Sequence, residues 1–437
     1  MRLILIGFVG LMFTACSNNK NYEAEIANPE HVRKSFKKYS DVIVYDIFSP
    51  PVASRNYVYA SIAAYEVLAQ LDDRYVSLSG QLHDLEPTPS PPTEEVSLTI
   101  SAMEALLTTA KHFIFSESKI DEYRTELMNE IRGHGVPKSV MKRSQEYGSV
   151  VAQHIIEWSK GDLYHQTRTF PKFSITDNPS EWKPTPPGYM DGIEPHWNRI
   201  RTMVLDSATQ FIPKPPTEFD LDKNSKFFQE TMEVYEVGLN ATEEHKEIAS
   251  FWDCNPYVLN VTGHVMHATK KITPGGHWIG IVGLSTRKAD FDLGQTIEAY
   301  ALTSIALFDA FISCWDEKYR SKLIRPESVI NEHIDQDWLP ILQTPPFPEH
   351  TSGHSVISRA AAIALTSILG DEFAFDDDVE LEYGLPIRSF TSFIHASEEA
   401  AISRLYGGIH YRPAIDYGVE QGEKVGKLVV DRVKMKA

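Results

Sequence analysis

Residues 289–318 decide the fold of this 437-residue chain, and they read ADFDLGQTIEAYALTSIALFDAFISCWDEK. Apolar residues occupy nearly every side of the helix that this spacing predicts, among them Phe291, Ile297 and Phe311. A helix that is hydrophobic all round lies in the middle of a bundle. We therefore expect this helix to form the centre of the fold and to carry Lys318 out of the core at its C-terminal end.

The rest of the chain also favours helices. Apolar residues recur at steps of three and four in the other predicted helices, which span residues 50–71, 94–115, 116–133, 137–160, 222–239, 243–253, 354–370, 396–408 and 416–434. No convincing run of alternating apolar and polar residues and no internal repeat is found. The fold class is therefore mainly α and built from helical bundles.

Residues 161–220 differ from the helical segments, because they are rich in proline and carry the aromatic residues Trp182, Tyr189 and Trp197. Disorder is one interpretation, but the aromatic residues favour a long ordered loop packed over the helices. Long ordered loops often line active sites. We expect residues 31–220 to form an N-terminal helical region that includes this loop, and residues 221–437 to form a C-terminal helical bundle.

The N-terminus has the pattern of an export signal. Residues 1–16 contain Arg2, an apolar run that is too short to span a bilayer, and small residues before Cys16. This pattern is typical of a bacterial lipoprotein signal, although an ordinary secretory signal remains an alternative. We expect a lipid on Cys16, a flexible tether over residues 17–30, and anchoring on the periplasmic or cell-surface side of the bacterial envelope, with no other contact with the membrane.

Charge and cysteine content narrow the class of protein further. The chain has 42 Lys and Arg residues against 60 Asp and Glu residues, so a general nucleic-acid surface is excluded. A basic cluster in such an acidic chain is anomalous and predicts an anionic ligand. The mature chain would keep only Cys254 and Cys314, too few for a disulfide scaffold, and buried free thiols are expected.

Three polar blocks near the C-terminus contain such cations. Lys318 and Arg325 lie in the block from Trp315 to Pro326, and Arg404 lies in the block from Ser403 to His410. A guanidinium binds two oxygens of an oxyanion at once, and lysine adds a point charge. Taken singly, each of these side chains would be interpreted as an ordinary surface cation.

The middle block changes that interpretation. Thr351-Ser352-Gly353-His354 follows a proline-rich segment and opens a predicted helix. Free main-chain N–H groups at a helix start, with the Ser352 hydroxyl, can bind an anion, and Gly353 lets a ligand approach the main chain. An ordinary N-cap is the alternative. His354 beside an anion would be suited to proton transfer.

His410 follows Arg404 by six residues, which on a helix is a rise of about 9 Å. A long arginine side chain can span that distance and meet the histidine at one ligand, and Gly407 and Gly408 would leave the face between them uncovered. A histidine in a helical core is usually a hydrogen-bonded structural residue. Here its neighbours favour a metal ligand or a nucleophile.

Together these blocks resemble the three-part signature of the superfamily that unites vanadium-dependent haloperoxidases with type 2 phosphatidic acid phosphatases. The resemblance rests on Lys318 with Arg325-Pro326, on Thr351-Ser352-Gly353-His354, and on Ser403-Arg404 with His410. Trp315-Asp316, Phe347 and the N-terminal signal look most like bacterial vanadium-dependent iodoperoxidases. The resemblance implies two halves that each look like a four-helix bundle.

The resemblance also implies residue roles. His410 would coordinate the vanadium of bound orthovanadate axially, while His354 would assist proton movements and Lys318 would polarise bound peroxide. Hydrogen peroxide would oxidise iodide to hypoiodite or iodine, which would iodinate organic acceptors. The vanadate oxygens would be held by Lys318, Arg325, Ser352, Gly353 and Arg404, and the halide side of the pocket would be walled by Tyr257, Trp315, Asp316 and Phe347.

The sequence departs from the family pattern at two positions. Thr351 stands where proline is common, and Ala414 stands where many relatives carry an aspartate four residues after the coordinating histidine. A second-shell acceptor normally decides which imidazole nitrogen is free, and the nearest acidic residue here is Asp416. The group that orients His410 is therefore left open.

Other functions are compatible with the same residues. An acid phosphatase of the same superfamily would use His410 as the nucleophile that forms a phosphohistidine, and a phosphate-binding lipoprotein would need the cations without a proton-transfer histidine. The preference for iodide over bromide also stays open. A zinc site built from Cys254, His264, His267 and His277 is disfavoured, because their spacing matches no recognised ligand frame.

Overall fold

The computed structural model describes residues 22–262, 265–268 and 270–437, with the backbone alone for residues 260–262 and 265–268. The helices are α1 Tyr22–Ile26, α2 Glu30–Tyr45, α3 Pro50–Leu71, α4 Leu98–His112, α5 Glu117–Gly133, α6 Lys138–Ser159, α7 Tyr164–Thr167, α8 Lys226–Leu239, α9 Glu243–Phe251, α10 Pro274–Lys288, α11 Leu293–Ser321, α12 Pro326–His333, α13 Gly353–Leu369, α14 Phe393–Tyr406 and α15 Arg412–Arg432. Short 3-10 turns lie at Trp197–Arg199 and Leu381–Tyr383. The mainly α fold class is confirmed.

Helix α11 is the central element, as the sequence predicts. A capping box fixes its start, because the Asp292 side chain accepts from Gln295 N and the Gln295 side chain accepts from Asp292 N. Every residue from Thr296 to Lys318 is buried. Among the described helices, α11 alone is long and apolar enough to cross a membrane, but its apolar window is completely buried inside the protein. It therefore serves as the core helix.

Two bundles meet at α11. In the N-terminal bundle α11 packs against α3, which in turn packs against α4. In the C-terminal bundle α11 packs against α13 and α15. One continuous hydrophobic core runs through both bundles. The close packing of α13 on α15 requires Gly422, since a Cβ there would collide with the main chain at Val356. The boundary predicted between residues 220 and 221 stays a prediction, but the core is continuous across it.

Four short strands lie within the residues that the structure describes. β1 Leu259–Thr262 pairs with β2 Val265–Ala268, and β3 Phe375–Asp377 pairs with β4 Arg388–Phe390, both antiparallel. The sequence analysis found no strands, because each pair is too short to show a repeating alternation.

The proline-rich segment 161–220 is ordered along its length. Trp182 and Trp197 are fully buried, and Trp182 N donates to Lys322 O at 2.7 Å. The Asp309 carboxylate of α11 accepts from three consecutive main-chain N–H groups, those of residues 203–205, at 2.7–2.9 Å. This segment passes close to the C-terminal end of α11.

Three predictions at element level need correction. The tether predicted for residues 17–30 is too long, because α1 occupies residues 22–26 and buries Tyr22 and Ile26. Helix α10 was not predicted, since Gly275 and Gly276 argue against a helix, but Thr273 caps it by accepting from Gly276 N. Helix α12 was not predicted either. Residues 1–21, with the signal and Cys16, lie outside the described residues.

Candidate active site

The predicted site residues lie at or just beyond the ends of four helices, and these ends converge. Lys318 lies in the last turn of α11, Arg325 is the N-cap of α12, Ser352 is the N-cap of α13, Arg404 lies in the last turn of α14, and His410 follows that helix. Each of these five side chains is at most 3% exposed. We call these five residues and Gly353 the oxyanion cradle. Burying three cations is costly unless an anion or hydrogen bonds compensate them.

Arg325 touches the predicted vanadium ligand directly. Its Nη1 donates to Ile409 O at 2.7 Å and to His410 Nε2 at 3.2 Å, and its Nε donates to Phe347 O at 2.9 Å. Its Nη2 is buried and has no partner among the described residues. Burial lowers the pKa of Arg325 to about 10, so the side chain still carries its charge at neutral pH.

Glu349 is the residue that orients His410. Because arginine can only donate, His410 Nε2 must accept from Arg325, and the ring proton is therefore assigned to Nδ1. Nδ1 then donates to Glu349 Oε1 at 2.8 Å, and Oε1 also accepts from Tyr411 N at 2.9 Å. The carboxylate holds the Nε2 lone pair toward the cradle, as a metal ligand requires.

Sequence reasoning missed Glu349, which lies 61 positions before His410. Asp416, the nearest acidic residue in sequence, lies on α15 and makes no hydrogen bond to His410 in the described structure. Glu349 stands directly before His350 and the Thr351 block, and an acidic residue beside that motif was the available signal. Burial raises the pKa of Glu349 to about 7, while Arg325 and Lys318 oppose this shift.

The helical spacing predicted between Arg404 and His410 is wrong. Helix α14 ends at Tyr406, and Gly408 turns the chain with a φ of +76°. Only glycine adopts this left-handed conformation without strain. The turn, rather than a continued helix, brings the His410 ring back to Arg325.

Lys318 binds the loop that carries Glu349. Its Nζ donates to Pro348 O and Glu349 O at 3.1 Å and to Thr351 O at 2.5 Å. Burial lowers its pKa to about 8. The ammonium therefore fixes the main chain just before the Ser352 N-cap.

His354 and Arg404 share a main-chain acceptor. Arg404 Nη2 donates to Trp252 O at 2.7 Å, and the His354 ring also bonds to that carbonyl. His354 Nε2 is buried without a partner in the described part of the chain. Burial, and then the charge of Arg404, lower the pKa of His354 well below its usual value, so the ring is neutral. A neutral imidazole with a free nitrogen can accept a proton.

A cavity of about 30 Å³ is lined by three of the six cradle residues, Gly353, Arg404 and His410, and by His354, whereas Lys318, Arg325 and Ser352 do not line it. Larger grooves on the surface contain none of the cradle residues. The polar wall of the cavity is formed by Gly353, His354, Arg404 and His410, and the opposite wall is largely apolar, with Tyr257, Phe311, Trp315 and Phe347.

Three of the four residues predicted for the halide side therefore line this cavity, and Asp316 does not. Consecutive residues of a helix point about 100° apart, so Asp316 faces away from the cavity when Trp315 faces it. Asp316 instead accepts from Asn198 Nδ2 at 2.9 Å and from Arg320 Nε at 3.3 Å. The assignment of Asp316 to the halide pocket is wrong.

The residues present fit a small oxyanion held by a nitrogen ligand. Arg325 Nη2 and His354 Nε2 are buried without partners among the described residues, and His410 Nε2, which accepts from Arg325 Nη1 here, would become the nitrogen ligand once that arginine turns to the anion. The Ser352 hydroxyl accepts from Ser355 N at 3.3 Å and keeps its own proton for a ligand. This donor set suits a tetrahedral or five-coordinate anion.

Comparison with known proteins agrees with this geometry. Residues 298–437 match the family model of the VCPO second helical-bundle domain. No curated protein sequence matches the chain. A bacterial vanadium-dependent iodoperoxidase of known crystal structure has 50% sequence identity and a TM-score of 0.89, and the match covers 94% of this chain and 98% of that one.

Two bacterial vanadium-dependent chloroperoxidase structures share the fold at 17% identity. The holo form has a TM-score of 0.68 over 90% of this chain and 92% of its own, and the apo form 0.69 over 89% and 95%. At this identity the likeness concerns the fold alone. With half of its residues identical to the iodoperoxidase over almost the full length of both chains, this chain belongs to the vanadium-dependent haloperoxidases.

Proposed function

We propose that the protein binds orthovanadate in the cradle and uses hydrogen peroxide to oxidise iodide to hypoiodite or iodine, which then iodinates organic acceptors. The observation that carries this proposal is the His410 Nε2 lone pair, fixed by Glu349 and placed against Arg325 in a buried cavity. The iodoperoxidase with 50% identity supports the choice of iodide.

The cradle residues would hold the anion by complementary contacts. His410 Nε2 would be the ligand to vanadium, and the oxygens would accept from Arg325 Nη2, Arg404, the Ser352 hydroxyl and the Gly353 amide. Lys318 would contribute its charge, because its three N–H groups already donate to main-chain oxygens. When bound, vanadate supplies a Lewis-acidic centre that activates peroxide for attack by a halide.

Proton movement would fall to His354. Because its ring is neutral, Nε2 can accept a proton from hydrogen peroxide that enters the cavity and can later return it to an oxygen that leaves. Arg404 lies close enough to keep the proton affinity of this ring low, which favours rapid return of the proton.

The apolar wall would serve the halide. Tyr257, Trp315 and Phe347 present aromatic surface to the cavity and exclude water from it. Iodide is the largest and most polarisable common halide and loses the least hydration energy on entering such a wall. It is also the easiest to oxidise, so a site with modest activation of peroxide suffices.

The test is oxidation of iodide by hydrogen peroxide, followed as triiodide, by protein prepared with and without added orthovanadate. Bromide and a phosphate monoester are assayed in parallel. We expect triiodide only after vanadate loading and little turnover of the ester. Ester hydrolysis that needs no vanadate, without any triiodide, would overturn the proposal in favour of a phosphatase.

We also propose that the protein is exported and anchored by a lipid on Cys16. The apolar run of residues 3–13 and the small residues before Cys16 support this. Mass spectrometry of the mature N-terminus is expected to find a diacylglycerol on Cys16, and the Cys16→Ser variant is expected to lack it. A mature chain cleaved elsewhere and without lipid would contradict the proposal.

A further inference from the structure

A second cluster of ligating side chains lies behind the wall of the cavity. Cys254 follows α9, His277 lies in the first turn of α10, and Glu380 precedes the 3-10 turn at residues 381–383. Cys254 Sγ lies 3.5 Å from His277 Nδ1 and 3.7 Å from Glu380 Oε1, and Nδ1 lies 3.0 Å from that oxygen. All three residues are buried.

These distances match the triangle that three ligands form around a tetrahedral metal ion. With metal–ligand bonds of about 2.0–2.3 Å, the ligand atoms lie about 3.4–3.6 Å from one another. The observed separations need changes of only a few tenths of an ångström. One thiolate, one imidazole and one carboxylate form a ligand set that suits zinc and excludes magnesium and calcium, which bind oxygen ligands.

Asp377 completes the arrangement expected around a metal-binding histidine. Its Oδ2 lies 2.8 Å from His277 Nε2, on the side of the ring opposite to Cys254 and Glu380. A carboxylate there fixes the tautomer that presents the Nδ1 lone pair to a metal. The indole ring of Trp252 stacks on the imidazole, with ring centroids 4.7 Å apart, and holds the plane of the ring.

We propose that Cys254, His277 and Glu380 bind a divalent cation of the zinc type, with water in the fourth position. The ion displaces the thiol proton and the Nδ1 proton of the imidazolium, so the net charge of the buried cluster is the same before and after binding. This site is separate from the oxyanion cradle, and the inference does not depend on the proposed peroxidase activity.

The ion would brace the wall of the cavity. Cys254 lines that cavity, and the carbonyl of Trp252, two residues earlier, accepts from Arg404. Fixing Cys254 to α10 and to the segment before residue 381 therefore holds the acceptor that positions Arg404. Zinc was disfavoured from the sequence because the spacing of Cys254, His264, His267 and His277 matches no recognised ligand frame, and Glu380 lies 126 positions after Cys254. Of that set, His264 and the His267 side chain lie outside the described residues.

Metal content is the direct test. The full chain is purified without a polyhistidine tag, dialysed, and analysed by inductively coupled plasma mass spectrometry. We expect about one zinc equivalent per wild-type chain, and loss of most of that metal in Cys254→Ser and in His277→Gln. Cys314→Ser, the same change at the other buried thiol, is expected to retain the metal.

Two further measurements keep the test decisive if a variant folds poorly. Removing zinc from the wild type with a chelator is expected to lower Tm, and adding zinc is expected to restore it. Replacement by cobalt is expected to give a thiolate-to-cobalt absorption band. His410→Ala is expected to keep its zinc while losing vanadate, which separates this result from the fate of the proposed function.

A wild-type protein that is purified without metal and takes up neither zinc nor cobalt would overturn the inference. Full metal content in folded Cys254→Ser and His277→Gln variants would overturn it as well, because the hydrogen-bonded cluster would then be complete without an ion.

Discussion

At the scale of single residues, the two nitrogens of the His410 imidazole have different roles, and Glu349 determines which nitrogen carries the proton. The carboxylate receives the Nδ1 proton at 2.8 Å, so Nε2 is left with a lone pair beside Arg325. Burial raises the pKa of this carboxyl to about 7, and Arg325 and Lys318 offset part of that shift by favouring its ionised form. The orientation of the His410 ring is thus fixed before any anion binds.

Glu349→Gln tests this role. The amide can still accept from Nδ1, but it loses the negative charge that makes the ring a better ligand, and we expect vanadate affinity to fall by about 10–100-fold. Isothermal titration with orthovanadate measures the change. The matched control is Asp416→Asn, which alters the acidic residue nearest to His410 in sequence and is expected to leave the affinity unchanged. Equal losses in both variants would rule out a specific role for Glu349.

Phe347→Ala tests the aromatic wall. The ring lines the cavity and lies 5.0 Å from Lys318 Nζ, so its removal admits water next to the halide and the cation. We expect KM for iodide to rise at least tenfold, which corresponds to about 1.4 kcal/mol of lost binding. Asp316→Asn is the control, because Asp316 faces Asn198 and Arg320. A raised KM in the Asp316 variant alone would restore the original assignment of that residue.

At the scale of elements, one carboxylate on α11 binds three consecutive main-chain N–H groups of the segment 161–220. Asp309 is fully buried and accepts from the N–H groups of Met203, Val204 and Leu205. Three adjacent N–H groups without an acceptor would each carry a desolvation penalty. Fixing this point of the segment keeps it packed against the helix that ends at the cradle.

Asp309→Ala is therefore expected to lower the free energy of unfolding by at least about 3 kcal/mol, since each orphaned buried donor costs about 1–3 kcal/mol. Denaturant titration measures this. Asp309→Asn retains one acceptor oxygen and is expected to lose less. Wild-type stability in Asp309→Ala would show that the segment is held elsewhere.

Gly422→Ala tests the contact between α13 and α15. An added methyl group would meet the main chain at Val356, so the helices must separate and we expect a loss of about 1–3 kcal/mol. Gly133→Ala is the control, because nothing lies within 4 Å of a Cβ there. This second variant is expected to be at least as stable as the wild type, because alanine has the higher helix propensity. A similar loss in both variants would show that the contact with Val356 is not the cause.

Helices were predictable where apolar residues repeat with a helical period, and less so where side-chain contacts decide. The spacing over residues 50–71 gave α3 with both ends correct, because Ser49 caps a start with two prolines. Helix α10 begins with Pro274 followed by two glycines, and it depends on its Thr273 cap and on burial. The turn at Gly408 needed a φ value that no periodicity reveals.

At the scale of the whole molecule, the cradle was predictable as a set and its geometry was not. Lys318, Arg325, Ser352, Arg404 and His410 were identified from motif spacing, and the structure brings them together. Glu349 became visible only in three dimensions, because its partner lies 61 positions away. Cations that are buried without an anion also make the molecule less stable than it would be with a bound ligand.

Orthovanadate is therefore expected to raise Tm. A ligand that binds only the folded state at 100 times its Kd stabilises it by about 2.7 kcal/mol. Differential scanning calorimetry across a vanadate series measures the shift. His410→Ala is expected to abolish it by removing the ligand nitrogen. The same shift in this variant would show that vanadate binds elsewhere.

The shared position of α11 also limits how such proteins can exchange gene segments. Every cradle residue lies within residues 298–437, so a recombination event that transfers this part alone carries the full ligand set. One face of the transferred α11 packs against α3 in the donor protein, and the α3 of the donor is not transferred. A chimaera therefore gains the chemistry only when the recipient supplies a matching α3, and inheritance of the active-site motifs alone does not ensure a folded hybrid.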